Sequence, residues 1–275
     1  MVRVAIAQVE STTNKQKNLT KATTRIEEAG RSGADLIAFP EFLMAFSPAG
    51  QSARELAELA EPIGGPFIAA LSESAKSAGI SVLATIYESG PAPDRVYDTA
   101  VWIDALGRTA AVYRKLHLYD AFGFKESDKF ARGAELEPPM SCGEYIYGLM
   151  ICYDLRFPEM ARMLALEGAN VLIAPSGWVQ GDLKVEHWQT MIKARALENG
   201  CYVIAPDQVG NIYIGHSLAA DPLGRVLTDL GETERLAVVE IDAKLVQETR
   251  EKLPLLANRR TDVYGRYAGG AKLPY

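Results

Sequence analysis

The stretch GLMICYDLRFPEMARML, residues 148–164, decides how the rest of the chain is read. Its first half is an apolar run of strand length that stops on a cysteine, Cys152. Tyr153, Asp154 and Arg156 follow at once, and Pro158 suits the first turn of a helix. A cysteine that only fills a core needs no such polar company, whereas a nucleophile carried to a strand end does.

Working outward, short β-branched runs alternate with runs of helical period, which reads as α/β. Strands are expected at 2–8, 34–39, 80–87, 97–103 and 109–113, the last three as a meander or hairpins. Further strands are expected at 146–151, 171–174, 202–205, 217–221, 225–229 and 236–241. Helices are expected at 14–33, with Leu19, Ala22, Ile26 and Ala29 as the buried stripe, and at 66–79, 158–168 and 185–199, the last closed by Gly200. Asp221-Pro222-Leu223-Gly224 is a turn between two strands. Residues 116–139 form a long irregular stretch of the kind that usually carries function. The expectation is one α/β domain over residues 1–265, with more strands than a doubly wound sheet needs and a tail after Lys252.

The chain has 275 residues, 48% hydrophobic and 23% charged, enough to bury a core without staples. A net charge of −6, with no basic stripe, argues against a nucleic-acid partner. MVRVAIAQVE at the start reads as a strand rather than a signal peptide, and no run approaches the ~18 apolar residues of a membrane span. The three cysteines, Cys142, Cys152 and Cys201, have no C-x-x-C spacing, so a reducing compartment, the cytoplasm, is expected. The three histidines form no ligand motif, so no metal is expected.

Three chemistry-bearing residues share one place in the pattern. Glu41 follows DLIAFP, Lys115 follows TAAVYR, and Cys152 closes IYGLMI. Groups at the carboxyl ends of strands converge where ligands bind in α/β sheets. A lysine beside the sulfur, and the amides of the helix starting near Pro158, would favour thiolate over thiol. Glu41 would act as general base, and Lys115 with the Tyr153 backbone N–H as oxyanion donors during attack on an amide carbonyl.

F-P-E at Glu41, Y-R-K-L-H at Lys115 and C-Y-D-L-R-F-P-E at Cys152, in that order, resemble the nitrilase (carbon–nitrogen hydrolase) superfamily. The resemblance extends to H-W-Q-T-M-I-K-A-R-A-L-E-N and the D-P-L-G turn, covering roughly residues 1–265. It implies a four-layer α-β-β-α sandwich, a Glu-Lys-Cys triad, no metal or cofactor, and a homodimer that often exchanges C-terminal tails, here 253–275. It also implies a second glutamate in the loop after the lysine, matched to Glu126, that positions the substrate amide. Within the family, C-Y-D-x-R-F-P-E is similar to the ω-amidase and deaminated-glutathione amidase branch, where Arg156 would hold a substrate carboxylate.

Other readings stand beside these. Arg156 can equally brace Asp154 or Glu159, and Trp178 can wall a pocket or fill the core. His117 is a packing or hydrogen-bonding residue or, in a papain-like dyad, the base for Cys152. The same triad serves nitriles or N-carbamoyl compounds, and a non-catalytic binding subunit is the alternative of another class.

Overall fold

Val2–Gln8 forms strand β1, and its side chains divide between two cores. Val4 and Ile6 join one buried cluster, while Ala5 and Ala7 join another, as a period of two requires. A strand buried on both faces lies in the middle of a layered molecule. The computed structural model of the chain describes residues 1–265.

In the first sheet, β2 (Leu36–Ala38) and β3 (Ser81–Ser89) follow β1 in parallel. β4 (Val96–Ile103) and β5 (Thr109–Arg114) complete the expected antiparallel meander, and the short β6 (Phe130–Ala131) pairs with β4. The second sheet contains β7 (Met140–Cys142), β8 (Tyr145–Leu149), β9 (Val171–Ile173) and β10 (Tyr202–Ala205). A small ribbon, β11 (Val209–Gly210) with β12 (Tyr213–Ile214), stands apart from it. β13 (Leu218–Ala220) and β14 (Val226–Asp229) then extend the second sheet, and β15 (Arg235–Ile241) returns to pair antiparallel with β1.

Among the described residues the helices are α1 (Lys15–Arg31), α2 (Ala53–Leu59), α3 (Pro66–Ala78), α4 (Pro158–Leu166), α5 (Lys184–Asn199), α6 (Ala243–Lys252) and α7 (Thr261–Tyr264). Ala22, Ile26 and Ala29 of α1 and Phe67, Leu71 and Ala75 of α3 pack on one face of the first sheet. Its other face meets the second sheet: Trp102 of β4 lies 4.8 Å, centroid to centroid, from Tyr147 of β8. Leu164 of α4 and Ile192 and Ala196 of α5 join this same cluster. The layers are therefore helix, sheet, sheet, helix, the expected four-layer sandwich.

The structure departs from the sequence reading in details. Leu19 is half-buried, and Asn18 takes the buried place beside it, its amide donating to the Thr12 and Met44 carbonyls. Helix α2 was not expected, although its Ser52 and Glu55 cap each other. β8 ends at Leu149, and Cys152 opens a 3-10 turn, Cys152–Arg156, that intervenes before α4. The chain turns there although Met150 N–H and Cys152 N–H still donate to the Ile173 and Pro175 carbonyls, at 3.0 and 2.9 Å. Of the tail at 253–275, residues 266–275 lie outside the described residues.

Gly148 marks where α4 presses on β8. A Cβ there would sit 2.8 Å from Leu172 Cδ2 and 3.1 Å from Leu164 Cβ. Gly148→Val should therefore lower stability by about 1–3 kcal/mol through overpacking, read as a lower urea midpoint at unchanged slope. An unchanged midpoint would mean that the sheet and α4 separate freely here.

Candidate active site

β2 and β5 run in the same direction, so the residues that follow them leave the first sheet at the same edge. Glu41, two residues after Phe39, is fully buried. Its Oε1 accepts from Lys115 Nζ at 2.7 Å, and its Oε2 accepts from the Gly177 N–H at 2.7 Å. Gln208 Nε2 donates to the Glu41 carbonyl at 2.9 Å. Gly177 and Gln208 follow β9 and β10, so the carboxylate of one sheet is held by loops of the other.

Lys115, only 1% exposed, follows β5, and its N–H donates to the Asp98 carbonyl at 2.9 Å. Its ammonium also donates to both oxygens of Glu126 at 3.0 Å. Glu126 sits on the one-turn 3-10 segment Glu126–Asp128, and its Oε2 accepts the Tyr119 N–H at 2.7 Å. The long loop thus folds back on the lysine and gives it a second carboxylate.

Cys152 adopts φ 45°, the left-handed region that costs a non-glycine residue about 1–3 kcal/mol. Asp154 holds the turn in that shape. It accepts from Ile151 N–H at 2.8 Å, Tyr113 Oη at 2.6 Å and His117 N–H at 3.1 Å, with His117 Nδ1 at 2.7 Å. Arg195 of α5 donates to the Leu155 carbonyl at 2.9 Å and pairs with Glu198 at 2.7 Å, which gives the A-R-A-L-E-N motif its place. His117 stacks on Phe157 at 3.6 Å and does not line the cavity that holds Cys152, so it has the packing role.

That cavity, of about 410 Å³, is walled by Glu126, Cys152, Tyr153, Arg156 and Trp178 together with Tyr119 and Lys184. Arg156 braces neither Asp154 nor Glu159. Its guanidinium lies 4.6 Å over the Trp178 ring, and its buried Nε has no hydrogen-bond partner among the described residues. Trp178 walls the cavity while its N–H donates to Asp207 Oδ1 at 2.7 Å. Tyr119, Lys184, Asp98 and Asp207 were missed in the sequence. Only Lys184 carried a signal, a lysine ahead of the H-W-Q-T helix, and it was masked by neighbouring charges.

The electrostatics correct one expectation. The thiol of Cys152 is raised well above its ordinary value, first by burial and then by the Glu41 charge, with Lys115 opposing. One ammonium shared among Glu41, Glu126 and Asp98 cannot dominate the sulfur. The amides of α4 are no substitute, since a 3-10 turn intervenes. Burial lowers the Lys115 ammonium, but Glu126 and Glu41 outweigh it and hold it well above its usual range. Burial raises Glu126 and raises Asp98 strongly, the latter with added repulsion from Glu41. Among the described residues no three His, Cys, Asp or Glu side chains gather in a metal-holding group.

A layered sandwich with a buried Glu-Lys pair behind a cavity thiol can carry acyl transfer from nitrogen. The family model for carbon–nitrogen hydrolase matches residues 3–251. The deaminated glutathione amidase of Escherichia coli O157:H7 is 36% identical, over 94% of this chain and 97% of its own. The NitFhit protein of C. elegans superposes with a TM-score of 0.89 at 32% identity, over 96% of this chain and 66% of that longer one. An amidase from Nesterenkonia sp. AN1, in a structure showing the result of Michael addition of acrylamide at the active site cysteine, has a TM-score of 0.80. It is 26% identical, over 97% of this chain and 100% of its own. The chain belongs to the carbon–nitrogen hydrolase family and is an enzyme of that class.

The charges around the sulfur make a signed prediction. Glu41→Gln removes the carboxylate that, after burial, does most to raise the Cys152 thiol. The thiolate fraction at a given pH then increases, and iodoacetamide should label Cys152 several-fold faster at pH 8, with the pH–rate curve displaced to lower pH. Cys142, which is exposed, serves as internal reference, and buried Cys201, pushed up to about 12, stays unlabelled. An unchanged rate at Cys152 would mean that the Glu41 charge does not act on the sulfur, and a slower one that Glu41 acts on it as a base rather than through its charge.

Proposed function

We propose that the chain is a cysteine-dependent amidase that releases ammonia from a small carboxylate-bearing amide through a thioester. The observation that carries this is the buried Glu41–Lys115–Glu126 cluster set behind the cavity wall that bears the Cys152 thiol. Glu41 takes the Cys152 proton as sulfur attacks the amide carbon and the carbonyl electron pair moves to oxygen. Lys115 and the Tyr153 N–H receive that negative charge, each well-aimed donor being worth roughly 3–4 kcal/mol. Glu41 returns the proton to nitrogen, the C–N bond breaks, and ammonia leaves. Water then gives a proton to Glu41 and its oxygen to the acyl carbon, and the C–S bond breaks to restore the thiol. A raised resting thiol suits this route, because proton removal is coupled to attack. Glu126 positions Lys115 and the substrate amide, and Arg156 on its Trp178 platform is offered to the carboxylate.

The same reading includes a cytoplasmic homodimer. Its support is the three unpaired cysteines and the exposed apolar side chains Met163 and Leu166 on α4 and Leu197 on α5. No helix among the described residues is long and apolar enough to cross a membrane.

Ammonia release from succinamate, α-ketoglutaramate, butyramide, an N-carbamoyl amino acid and a nitrile tests this reading. Release should follow the acid-bearing amides and fall at least a thousandfold in Cys152→Ala. Turnover that survives in Cys152→Ala overturns the mechanism, and preference for butyramide or the nitrile overturns the carboxylate.

A further inference from the structure

Lys184 stands where an ammonium is disfavoured three times over. It is only 6% exposed, so it has lost most of its hydration. It is the first residue of α5, at the positive end of the helix dipole. Lys184 and Arg156 line the same cavity, and the Lys184 acidity is increased first by burial and then by the like charge of Arg156.

No carboxylate offsets either charge among the described residues. Lys184 Nζ donates to Tyr119 Oη at 2.8 Å and lies 4.0 Å over the Phe122 ring, which leaves two of its three protons without a hydrogen-bond acceptor among the described residues. Arg156 has the Trp178 face, and its buried Nε has no hydrogen-bond partner among the described residues. The carboxylates in the wall are already committed: Glu126 to Lys115 and the Tyr119 N–H, and Asp128 to Lys125 at 2.9 Å. Trp178 ties the pair together, because its Nε1 donates to the Lys184 carbonyl at 3.0 Å beneath the Arg156 guanidinium. A strut between α5 and the loop has no need of charge, and an uncharged side chain of the same length would make it at lower cost.

We propose that Lys184 and Arg156 form a two-cation clamp for a single carboxylate of the substrate, with Lys184 as a specificity-determining residue. The substrate class is then a short ω-amide whose far end is a carboxylate, met by the fork of Arg156 and by the point charge of Lys184. The clamp rests on the amidase reading only for the identity of the end that reacts.

Calorimetric titration of the Cys152→Ala protein with succinamate and with butyramide, which differ at the far end, tests the clamp without turnover. Succinamate should bind at least tenfold more tightly than butyramide. Adding Lys184→Met should reduce that ratio at least tenfold, and Lys184→Arg should keep it within about threefold. A ratio near one, no binding of succinamate, or a ratio that Lys184→Met leaves intact overturns the clamp. The last case includes equal weakening of both amides, which would make the lysine a strut. Ammonia assays on the unmutated enzyme separate the two readings. A sound ratio with no turnover of any amide sinks the amidase and leaves the clamp, and turnover with a ratio near one does the reverse.

Discussion

The rest of the site depends on one buried ammonium. Lys115 is almost wholly out of water, and an isolated cation there would cost several kcal/mol. Glu41 and Glu126 answer that cost at 2.7 and 3.0 Å. Each of them must in turn be held, because a carboxylate free to swing away would leave the lysine unpaired. The Gly177 N–H holds Glu41 from the second sheet, and the Tyr119 N–H holds Glu126 from the long loop. Satisfying one charge therefore fastens together the ends of two sheets and an otherwise irregular segment.

The proposed nucleophile is constrained by a different device. Cys152 occupies a left-handed backbone conformation, and the strain is stored by Asp154, which gathers donors from the turn itself, from β5 and from the loop after Lys115. Tyr113 makes this a joint between sheets, since its hydroxyl donates to Asp154 while accepting the Leu116 N–H at 3.1 Å. Tyr113 and His117, two residues before and after Lys115, thus hold the turn that carries the sulfur. Packing alone would leave the position of sulfur relative to ammonium free to vary. The hydrogen bonds remove that freedom.

Much of this was legible in the sequence, for identifiable reasons. Strands buried on both faces are β-branched and apolar, so their ends could be found, and Glu41, Lys115 and Cys152 are polar residues placed where such runs stop. Glu126 lies in a charged run, F-K-E-S-D, that resembles any solvated loop, and only the fold shows that one of its charges turns inward. Asp98 was invisible for the same reason, and the position of Lys184 ahead of a helix was masked by the charges around it. Nothing in Y-D-T-A or D-L-K-V-E distinguishes a buried charge from a wet one, since burial is decided by chain segments far away in sequence. The sign of the thiol shift failed differently. The sequence suggested a lysine near a cysteine, but the acidity of the cysteine depends on every charge around it, and the carboxylates outnumber the ammonium.

The two sheets divide the work, and this bears on how such a site can change its substrate. Glu41, Lys115 and Glu126 all come from the first sheet and the loop that leaves it. Cys152, Arg156, Trp178 and Lys184 all come from the ends of the second sheet and the start of α5. The groups proposed to manage protons and charge are buried and cross-linked, so loss of Lys115 would leave Glu41 and Glu126 without their cation. Arg156 and Lys184 carry no such obligation within the protein. Arg156 rests on the Trp178 face, and the Lys184 ammonium on Tyr119 and the Phe122 ring, so their replacement by neutral side chains leaves no buried anion behind. The proposed chemistry is therefore fixed by electrostatic necessity inside the first sheet's edge, whereas the proposed preference for an acid at the far end of the substrate rests on two side chains that the fold itself does not require to be charged.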